Sequence, residues 1–155
     1  MTPEQPMYPT RPVVTTRITS RISLICLLIC LQGCLSLSVT RYDHTTYVNL
    51  TRLKAETTLL LNRFDQAAVS DTQPAIDTTT LNLQAAYEYE VGKGEKNHGT
   101  VKQFDRIMQL FRQDVTDYQE NGPGAFGKSY FQEAASTLGQ AFDIVIATEN
   151  SKNPD

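Results

Sequence analysis

The chain has 155 residues, of which 40 % are hydrophobic, and its formal net charge at pH 7 is −3. This length suits one domain of common size. An acidic chain without a stripe of basic residues is a poor partner for nucleic acid or for the anionic surface of a membrane. All 3 cysteines lie within the first 34 residues. We therefore expect no disulfide in the rest of the chain, which an ordinary hydrophobic core must stabilise.

The beginning of the chain has the layout of an export signal. Arg11, Arg17 and Arg21 precede an apolar run that starts at Ile22 and ends in Leu31-Gln32-Gly33-Cys34. Basic, apolar and small residues in this order are typical of a secretory signal peptide. The last four residues resemble the lipobox of bacterial lipoproteins, in which the cysteine is acylated and becomes the first residue of the mature protein.

The resemblance to bacterial lipoproteins implies that residues 1–33 are a signal peptide, cleaved between Gly33 and Cys34. It also implies that the sulfur of Cys34 receives a diacylglyceryl group and its amino group a further acyl chain such as palmitate. More than one chain is needed for durable anchoring, because each buried CH₂ contributes only about 0.8 kcal/mol. The residue after the cysteine is Leu35 rather than Asp, and in enteric-type bacteria this pattern resembles lipoproteins that are sorted to the outer membrane. We therefore expect a lipid-anchored protein of the cell envelope, on the periplasmic face of the outer membrane if the bacterium is Gram-negative.

Two other interpretations of the apolar run remain open. A transmembrane anchor over residues 22–39 would have about 18 residues, the lower limit for a hydrocarbon core of roughly 30 Å. A buried helix of a soluble domain would explain the apolar residues but not the basic flank. The spacing of Cys26, Cys30 and Cys34 would place them on one helix face, yet cysteine is also a small apolar residue that such runs tolerate. We favour the latter interpretation over a metal cluster.

The segment 34–45 is predicted to be a lipidated cysteine and an extended tether. Without residues 1–33, 11 of the 14 basic and 16 of the 17 acidic residues remain, so the mature chain has a net charge of −5. Residues 35–40 alternate between apolar and polar, but no second strand is evident with which they could pair. At ~3.3 Å per residue the tether reaches roughly 40 Å. A helical domain over 46–150 and a tail over 151–155 complete the prediction.

Four amphipathic helices are predicted in the domain. The first covers about residues 46–69, with Asp43 among its candidate caps. The second covers about residues 74–91, but the β-branched Thr78-Thr79-Thr80 interrupts its apolar face and could delay its start to Leu81. The third covers about residues 100–121 and is predicted to end at the turn Asn121-Gly122-Pro123-Gly124. The fourth covers about residues 129–149, and both helices repeat apolar residues in a 3-4 rhythm. The seam of the third helix comprises Val101, Phe104, Met108, Phe111, Val115 and Tyr118.

Short connections between these helices predict an all-α fold, a small antiparallel four-helix bundle. Each apolar stripe is one face wide, so the helices must bury one another to be stable. A broken first hairpin, packed around the third and fourth helices, is the alternative arrangement.

Candidate metal and cofactor ligands are few. His44 and His98 lie just outside the predicted starts of two helices, and we interpret both as solvent-exposed loop residues. A weak metal pair is the alternative, because His44 follows Asp43 and His98 lies three residues after Glu95. The Glu95-to-His98 spacing matches half of a di-metal carboxylate site, but it occurs once and in a predicted loop. A covalent haem site would need Cys-x-x-Cys-His, which is absent from the sequence. No metal and no cofactor are predicted.

The remaining candidates have structural interpretations. Asp114 and Asp117 lie three residues apart, and they are predicted to belong to a solvated helix face beside the seam. Met108 is predicted to fill the core, since no histidine lies on a facing helix to complete a haem site. Tyrosines are expected at the margins of the core, with a protein interface as the alternative. They are Tyr42, Tyr47, Tyr87, Tyr89, Tyr118 and Tyr130.

These observations predict a protein that is not an enzyme, since no pair of nucleophile and base can be named. The functional hypothesis is a lipid-anchored envelope protein whose helical domain binds another protein or supports an envelope assembly. The alternative is a carrier of a small ligand or a metal, with the bundle interior or the loops at His44 and His98 as its site.

Overall fold

Four α-helices make up most of residues 40–127 and 129–153, the part of the chain that the computed structural model describes. No strand occurs within these two ranges. The helices are α1 (His44–Phe64), α2 (Val69–Gly92), α3 (His98–Asn121) and α4 (Tyr130–Asn150), and a short 3₁₀ helix (Glu95–Asn97) precedes α3. The all-α prediction is confirmed. The predicted signal peptide, the lipobox and residues 34–39 of the predicted tether lie outside the described residues. The last two residues of the predicted tether, His44 and Thr45, belong to α1.

The helix ends follow local chemistry. The Asp43 side chain accepts a hydrogen bond of 2.9 Å from the backbone N–H of Thr45, which caps α1 as predicted. Gly122, with a φ of 77°, ends α3 at the predicted Gly-Pro-Gly turn. α1 ends at Phe64 and not near residue 69, because the chain turns at residues 65–68 to begin α2.

The second helix begins at Val69 and continues through the threonine run, so a late start near Leu81 is wrong. The hydroxyls of Thr78 and Thr80 each donate, over 2.8 Å, to the backbone carbonyl four residues earlier. The hydroxyl of the buried Thr79 donates instead to the carboxylate of Glu56 on α1, at 2.9 Å. These bonds satisfy all three hydroxyls within a continuous helix.

The helices form an antiparallel bundle in which each helix packs against the next in the chain, and α1 also packs against α4. α1 and α3 lie on the diagonal and touch little. The predicted four-helix bundle is therefore confirmed, and the alternative of a broken first hairpin is wrong. Among the described helices, none combines the length and the apolar composition that crossing a membrane requires.

The core contains the apolar residues that the 3-4 rhythm predicts. Met108 is 4 % exposed and packs in the core as expected. Of the predicted seam of α3, Val101 is half-buried and the other members are buried. The buried residues of α4 follow the same rhythm: Phe131, Ala135, Leu138, Gly139, Phe142, Val145 and Glu149.

The hairpins α1–α2 (hairpin 1) and α3–α4 (hairpin 2) repeat one pattern of burial. A buried residue of α1 has its equivalent 54 positions later in α3, as Thr46 has Thr100. A buried residue of α2 has its equivalent 59 positions later in α4, as Glu90 has Glu149. The α1 positions Thr46, Leu50, Leu53, Thr57, Leu61 and Phe64 match Thr100, Phe104, Ile107, Phe111, Val115 and Tyr118 in α3. The α2 positions Thr72, Ile76, Thr79, Leu83, Ala86 and Glu90 match Phe131, Ala135, Leu138, Phe142, Val145 and Glu149 in α4. All of these residues are buried.

Equivalent residues of the two hairpins meet at one end of the bundle, which we call the aromatic end. The rings of Phe64 and Tyr118 stack with centroids 3.9 Å apart and planes at 2°. Two equivalent residues that face each other in this way lie beside an approximate two-fold axis. The edge of Phe131 contacts both rings, at 5.4 and 5.7 Å.

Tyr118 is completely buried, so the expectation that tyrosines lie at the core margin is wrong for this residue. Its hydroxyl donates to the backbone carbonyl of Ala67 at 2.7 Å and accepts from the hydroxyl of Thr72 at 2.9 Å. The ring thus packs in the core while its polar tip is satisfied by hairpin 1.

Candidate functional site

Two buried glutamate–lysine pairs lie where α1 and α3 begin and where α2 and α4 end, which we call the polar end. Glu90 Oε1 is 3.1 Å from Lys93 Nζ, and Glu149 Oε2 is 2.6 Å from Lys152 Nζ. The glutamate side chains are 2 % and 0 % exposed. A buried carboxylate requires a partner of opposite charge, and each lysine supplies it from the next helical turn.

The two pairs have equivalent surroundings. Each lysine also contacts the residue before the first helix of its own hairpin and the buried threonine three residues later, which are Asp43 and Thr46 for Lys93, and Asn97 and Thr100 for Lys152. The two-fold repeat therefore extends from apolar packing to polar chemistry.

Hydrogen bonds at the polar end also join the hairpins to each other. The backbone N–H of Asp43 donates to Glu149 Oε1 at 2.7 Å. A second bond joins the segment before α3 to hairpin 1: Asn97 Nδ2 donates to Glu90 Oε2 at 2.8 Å. The hydroxyl of Thr40 donates to Asn97 Oδ1 at 3.1 Å and holds the entering chain against α3. The network thus fixes the point at which the predicted tether meets the bundle.

The charges of this network stabilise one another. Partial burial would raise the pKa of Asp43, but hydrogen bonds from Lys93, Tyr89 and the backbone of Thr45 outweigh burial and hold that pKa well below its usual value. Burial likewise would lower the pKa of Lys93, but the carboxylates of Asp43 and Glu90 raise it. Lys93 also lies 4.7 Å from the centroid of the Tyr89 ring. Asp43 and Lys93 are therefore both ionised at neutral pH.

The predicted histidines lie at equivalent positions of this polar end. His44 and His98 are the first residues of α1 and α3 rather than loop residues, and both are exposed as expected. Nδ1 of His44 lies 3.4 Å from the hydroxyl of Tyr42. Glu95 lies in the 3₁₀ helix before α3 and outside the bundle interior. Across the described ranges, no three His, Cys, Asp or Glu residues cluster closely enough to hold a metal ion.

A groove runs along the outer side of each hairpin, at equivalent positions. Groove 1 has a volume of about 450 Å³ and is lined by Glu56, Leu59, Leu60, Arg63, Pro74, Ala75, Thr78 and Thr79. Groove 2 has a volume of about 250 Å³ and is lined by Leu110, Gln113, Asp114, Tyr130, Glu133, Ala134, Thr137 and Leu138. With the offsets of 54 and 59 residues, seven of the eight positions in groove 1 have their equivalents in groove 2.

The two grooves differ in chemistry although they share a backbone frame. Leu59 is 67 % exposed in groove 1, where groove 2 has Gln113. Pro74 is also exposed, where groove 2 has Glu133. Because hairpin 2 folds with polar residues at these positions, the fold does not require the apolar surface of groove 1.

The one carboxylate of groove 1 is already engaged. Glu56 Oε1 accepts hydrogen bonds from Thr79 at 2.9 Å and from Asn82 Nδ2 at 3.0 Å. Within residues 40–127 and 129–153, no carboxylate forms an ion pair with Arg63 at the other end of the groove. Groove 1 therefore has mostly apolar walls, with a hydrogen-bonded carboxylate at one end and the cation of Arg63 at the other.

Groove 2 is lined by Asp114, and Asp117 lies three residues further along the same helix. Burial, and then repulsion from Asp117, raise the pKa of Asp114 to about 6. Asp117 accepts a hydrogen bond of 2.8 Å from the hydroxyl of Tyr130, and this bond is the main reason that the pKa of Tyr130 is raised. The prediction of a solvated face is wrong for Asp114, which is half-buried in the position equivalent to Leu60.

Comparison of the chain with protein-family models, curated proteins and solved structures finds no match in any of the three. The assignment of a site therefore rests on the geometry above. Cys34 and Gly33, the predicted lipidation and cleavage residues, lie outside the described residues and stay predictions, as does the carrier hypothesis. Sequence reasoning missed the buried glutamates, although the repeated Glu-x-x-Lys spacing, Glu90 to Lys93 and Glu149 to Lys152, was a signal for them.

Proposed function

We propose that this protein is a lipid-anchored component of a bacterial cell envelope, whose helical bundle binds another protein through groove 1. The observation that supports binding is the exposed Leu59, at a position where the equivalent hairpin has glutamine. The expected location rests on the lipobox resemblance at Cys34. No catalytic role is proposed.

Folding leaves apolar surface of groove 1 in contact with water. Burying apolar area contributes roughly 25 cal/mol per Å², so Leu59 and Pro74 would add to affinity when a partner covers them. Two antiparallel helices leave between them a furrow of the kind that a third helix fills. Groove 1 thus combines a suitable shape with unused apolar surface.

The expected anchor favours a partner that lies close to the membrane. From Cys34 to Asp43 an extended chain reaches at most about 30 Å at ~3.3 Å per residue. The chain enters the bundle at the polar end, where Thr40 bonds to Asn97. Since groove 1 is on the side of the bundle, a partner standing beside the domain could reach it without displacing the tether.

Site-specific photo-crosslinking in the native host tests the binding. A photoreactive residue replaces Leu59 in the full chain, and a matched variant has it at Gln113, the equivalent position of hairpin 2. We expect a discrete adduct in the envelope fraction from position 59 and none from position 113. The same adducts from both positions, or none from either, would contradict the proposal.

Mass analysis of the protein extracted with detergent tests the anchor. We expect an N-terminal Cys34 with a lipid thioether and an acylated amino group. An unmodified thiol, or a chain that retains residues 1–33, would exclude the lipoprotein assignment.

A further inference from the structure

We infer that groove 1 binds an acidic amphipathic helix, whose apolar residues pack between Leu59 and Pro74 and whose carboxylate pairs with Arg63. This inference rests on the proposed function and deepens it by naming the chemistry of the partner. Three observations support it: the length of the groove, its apolar walls and its charge.

The dimensions of groove 1 suit a short helical segment. Its α1 wall extends from Glu56 to Arg63, which is about two helical turns or roughly 10 Å at ~1.5 Å per residue. Leu81, 69 % exposed, lies three residues beyond Thr78 and so continues the α2 wall on the same helix face. Two turns of a partner helix would present anchors spaced three and four residues apart along these walls.

The floor of the groove is apolar and shallow. Leu60 is 4 % exposed and closes the groove against the core. Ala75 and the threonines at 78 and 79 are small residues of the α2 wall, so they leave room for a leucine-sized side chain from outside. Leu59 and Pro74 flank this space and would be covered by the partner.

Charge favours an acidic partner over a basic one. Arg52, Glu56, Leu59 and Arg63 lie on one stripe of α1, at helical spacings of four, three and four. Both arginines are exposed, whereas the carboxylate of Glu56 is held by hydrogen bonds from Thr79 and Asn82 of α2. These donors are neutral, so Glu56 keeps its charge and the stripe has a net charge of +1. Because the mature chain has a net charge of −5, most of its surface repels an acidic segment, and this stripe is a local exception.

Charge would also keep the same partner out of groove 2. Asp117 stands at the position equivalent to Arg63, and Asp114 at the position equivalent to Leu60. Both would repel carboxylates, so charge directs an acidic helix to hairpin 1. The residues of hairpin 2 at these positions therefore provide test variants for groove 1.

The test measures binding of two synthetic peptides to the full chain held in zwitterionic lipid nanodiscs, with empty nanodiscs as the blank. One peptide is an amphipathic helix of about five turns with a leucine face flanked by glutamates. The other has lysine at every glutamate position. We expect the acidic peptide to bind at least about tenfold more tightly than the basic one.

The variant Leu59→Gln/Arg63→Asp introduces the residues of Gln113 and Asp117 into groove 1. We expect this variant to bind the acidic peptide about tenfold or more weakly, and to show no preference for the acidic peptide over the basic one. Ile144→Gln is the matched control, since Ile144 is an apolar residue, 60 % exposed, on α4 outside both grooves. It should leave binding unchanged, and circular dichroism should show both variants folded.

Equal binding of the two peptides, or binding that the double variant does not change, would overturn the inference. Self-association that the double variant abolishes would also overturn it, in favour of a second copy as occupant. If position 59 crosslinks in cells but the acidic peptide does not bind, the proposed partner chemistry is wrong and the function stands. If neither occurs, the function fails as well.

Discussion

Hairpin 1 and hairpin 2 have similar residue types at the equivalent positions that face each other, and different residue types at the equivalent positions that face outward. Inward positions such as Leu61 and Val115 are apolar in both, and both hairpins end in a buried glutamate paired with a lysine. The outward positions that line the grooves differ in residue type: groove 1 has Leu59, Leu60 and Pro74 where groove 2 has Gln113, Asp114 and Glu133. Packing therefore constrains the inner faces, while the outer faces can be adapted to function.

The seams between the hairpins also differ. α1 packs more closely against α4 than α2 does against α3, although the two seams are equivalent in the repeat. The closer seam contains Gly139 on α4, where a Cβ would lie 3.5 Å from Cγ2 of Thr58 on α1. In the other seam, the larger rings of Tyr87 and Phe104 stand 6.3 Å apart.

The largest effect on stability is expected from removing the glutamate of a buried ion pair, and the two pairs should differ in how much they lose. Glu149→Gln leaves Lys152, 4 % exposed, without a carboxylate, whereas Glu90→Gln leaves Lys93 paired with Asp43 at 2.8 Å. Removing one partner of a buried pair costs about 3–5 kcal/mol, and we expect this cost for Glu149→Gln. Glu90→Gln should cost about 1–2 kcal/mol, since one charge partner remains.

Urea denaturation of both variants and the parent measures the difference in free energy of unfolding. Equal losses for the two variants would show that Asp43 does not compensate for Glu90. A loss smaller for Glu149→Gln than for Glu90→Gln would contradict the assignment of charge partners.

The next effect concerns the stacked pair at the aromatic end. Tyr118→Phe makes the pair with Phe64 chemically symmetric but removes the donor to the carbonyl of Ala67. A buried acceptor left unpaired costs about 1–2 kcal/mol, so the free energy of unfolding should fall by that amount. Tyr130→Phe is the control, because its half-buried hydroxyl bonds to Asp117, which water can reach. A greater loss from the control would contradict this account.

Groove 2 should make stability depend on pH, because Asp114 lies where groove 1 has the uncharged Leu60. The pKa of Asp114 is raised to about 6 from its usual value of 3.8, so ionisation disfavours the folded state. This penalty is absent below about pH 4, where both states are protonated, and complete above about pH 6. Because the side chain is partly exposed, solvent screening reduces the penalty to about 1 kcal/mol.

Asp114→Asn should therefore stabilise the protein by about 1 kcal/mol at neutral pH and by little at pH ~4. Urea denaturation over this pH range measures the gain. Glu120→Gln, an exposed change on the same helix, is the control. A gain from Asp114→Asn that is the same at both ends of the range would contradict the raised pKa.

The smallest effect tests the close seam. Gly139→Ala adds a Cβ that meets Thr58 at ordinary van der Waals distance and removes a glycine from a helix interior. We expect a gain of about 0.5–1 kcal/mol, because alanine loses less backbone freedom on folding. Thermal unfolding measures it, and Gly139→Leu should be destabilising because it overfills the same seam. If leucine were tolerated as well as alanine, the seam would not be close-packed.

Much of the fold could be predicted from the sequence, because helical periodicity is a local property. The seam of α3, from Phe104 to Tyr118, was evident from its spacing alone, and Gly122 marked its end. α2 was harder, since a threonine run weakens an isolated helix. Its continuity depends in part on the bond from Thr79 to Glu56, which is a tertiary contact.

The internal repeat was not evident from the sequence because few of the matched residues are identical. His44 and His98, Thr46 and Thr100, and the glutamate–lysine pairs are among the exceptions. Other positions conserve burial rather than residue type, as with Thr57 and Phe111. A repeat of this kind becomes visible only when burial is known.

By itself the sequence determined that residues after the predicted tether form amphipathic helices joined by short loops, because hydrophobic period and turn residues act within a few positions. Only the tertiary structure decided how those helices are paired and which surface stays open. Asp114 is half-buried because α4 packs beside it, and Leu59 remains exposed because no described helix covers groove 1. Both outcomes depend on register between helices distant in sequence, which local periodicity does not specify.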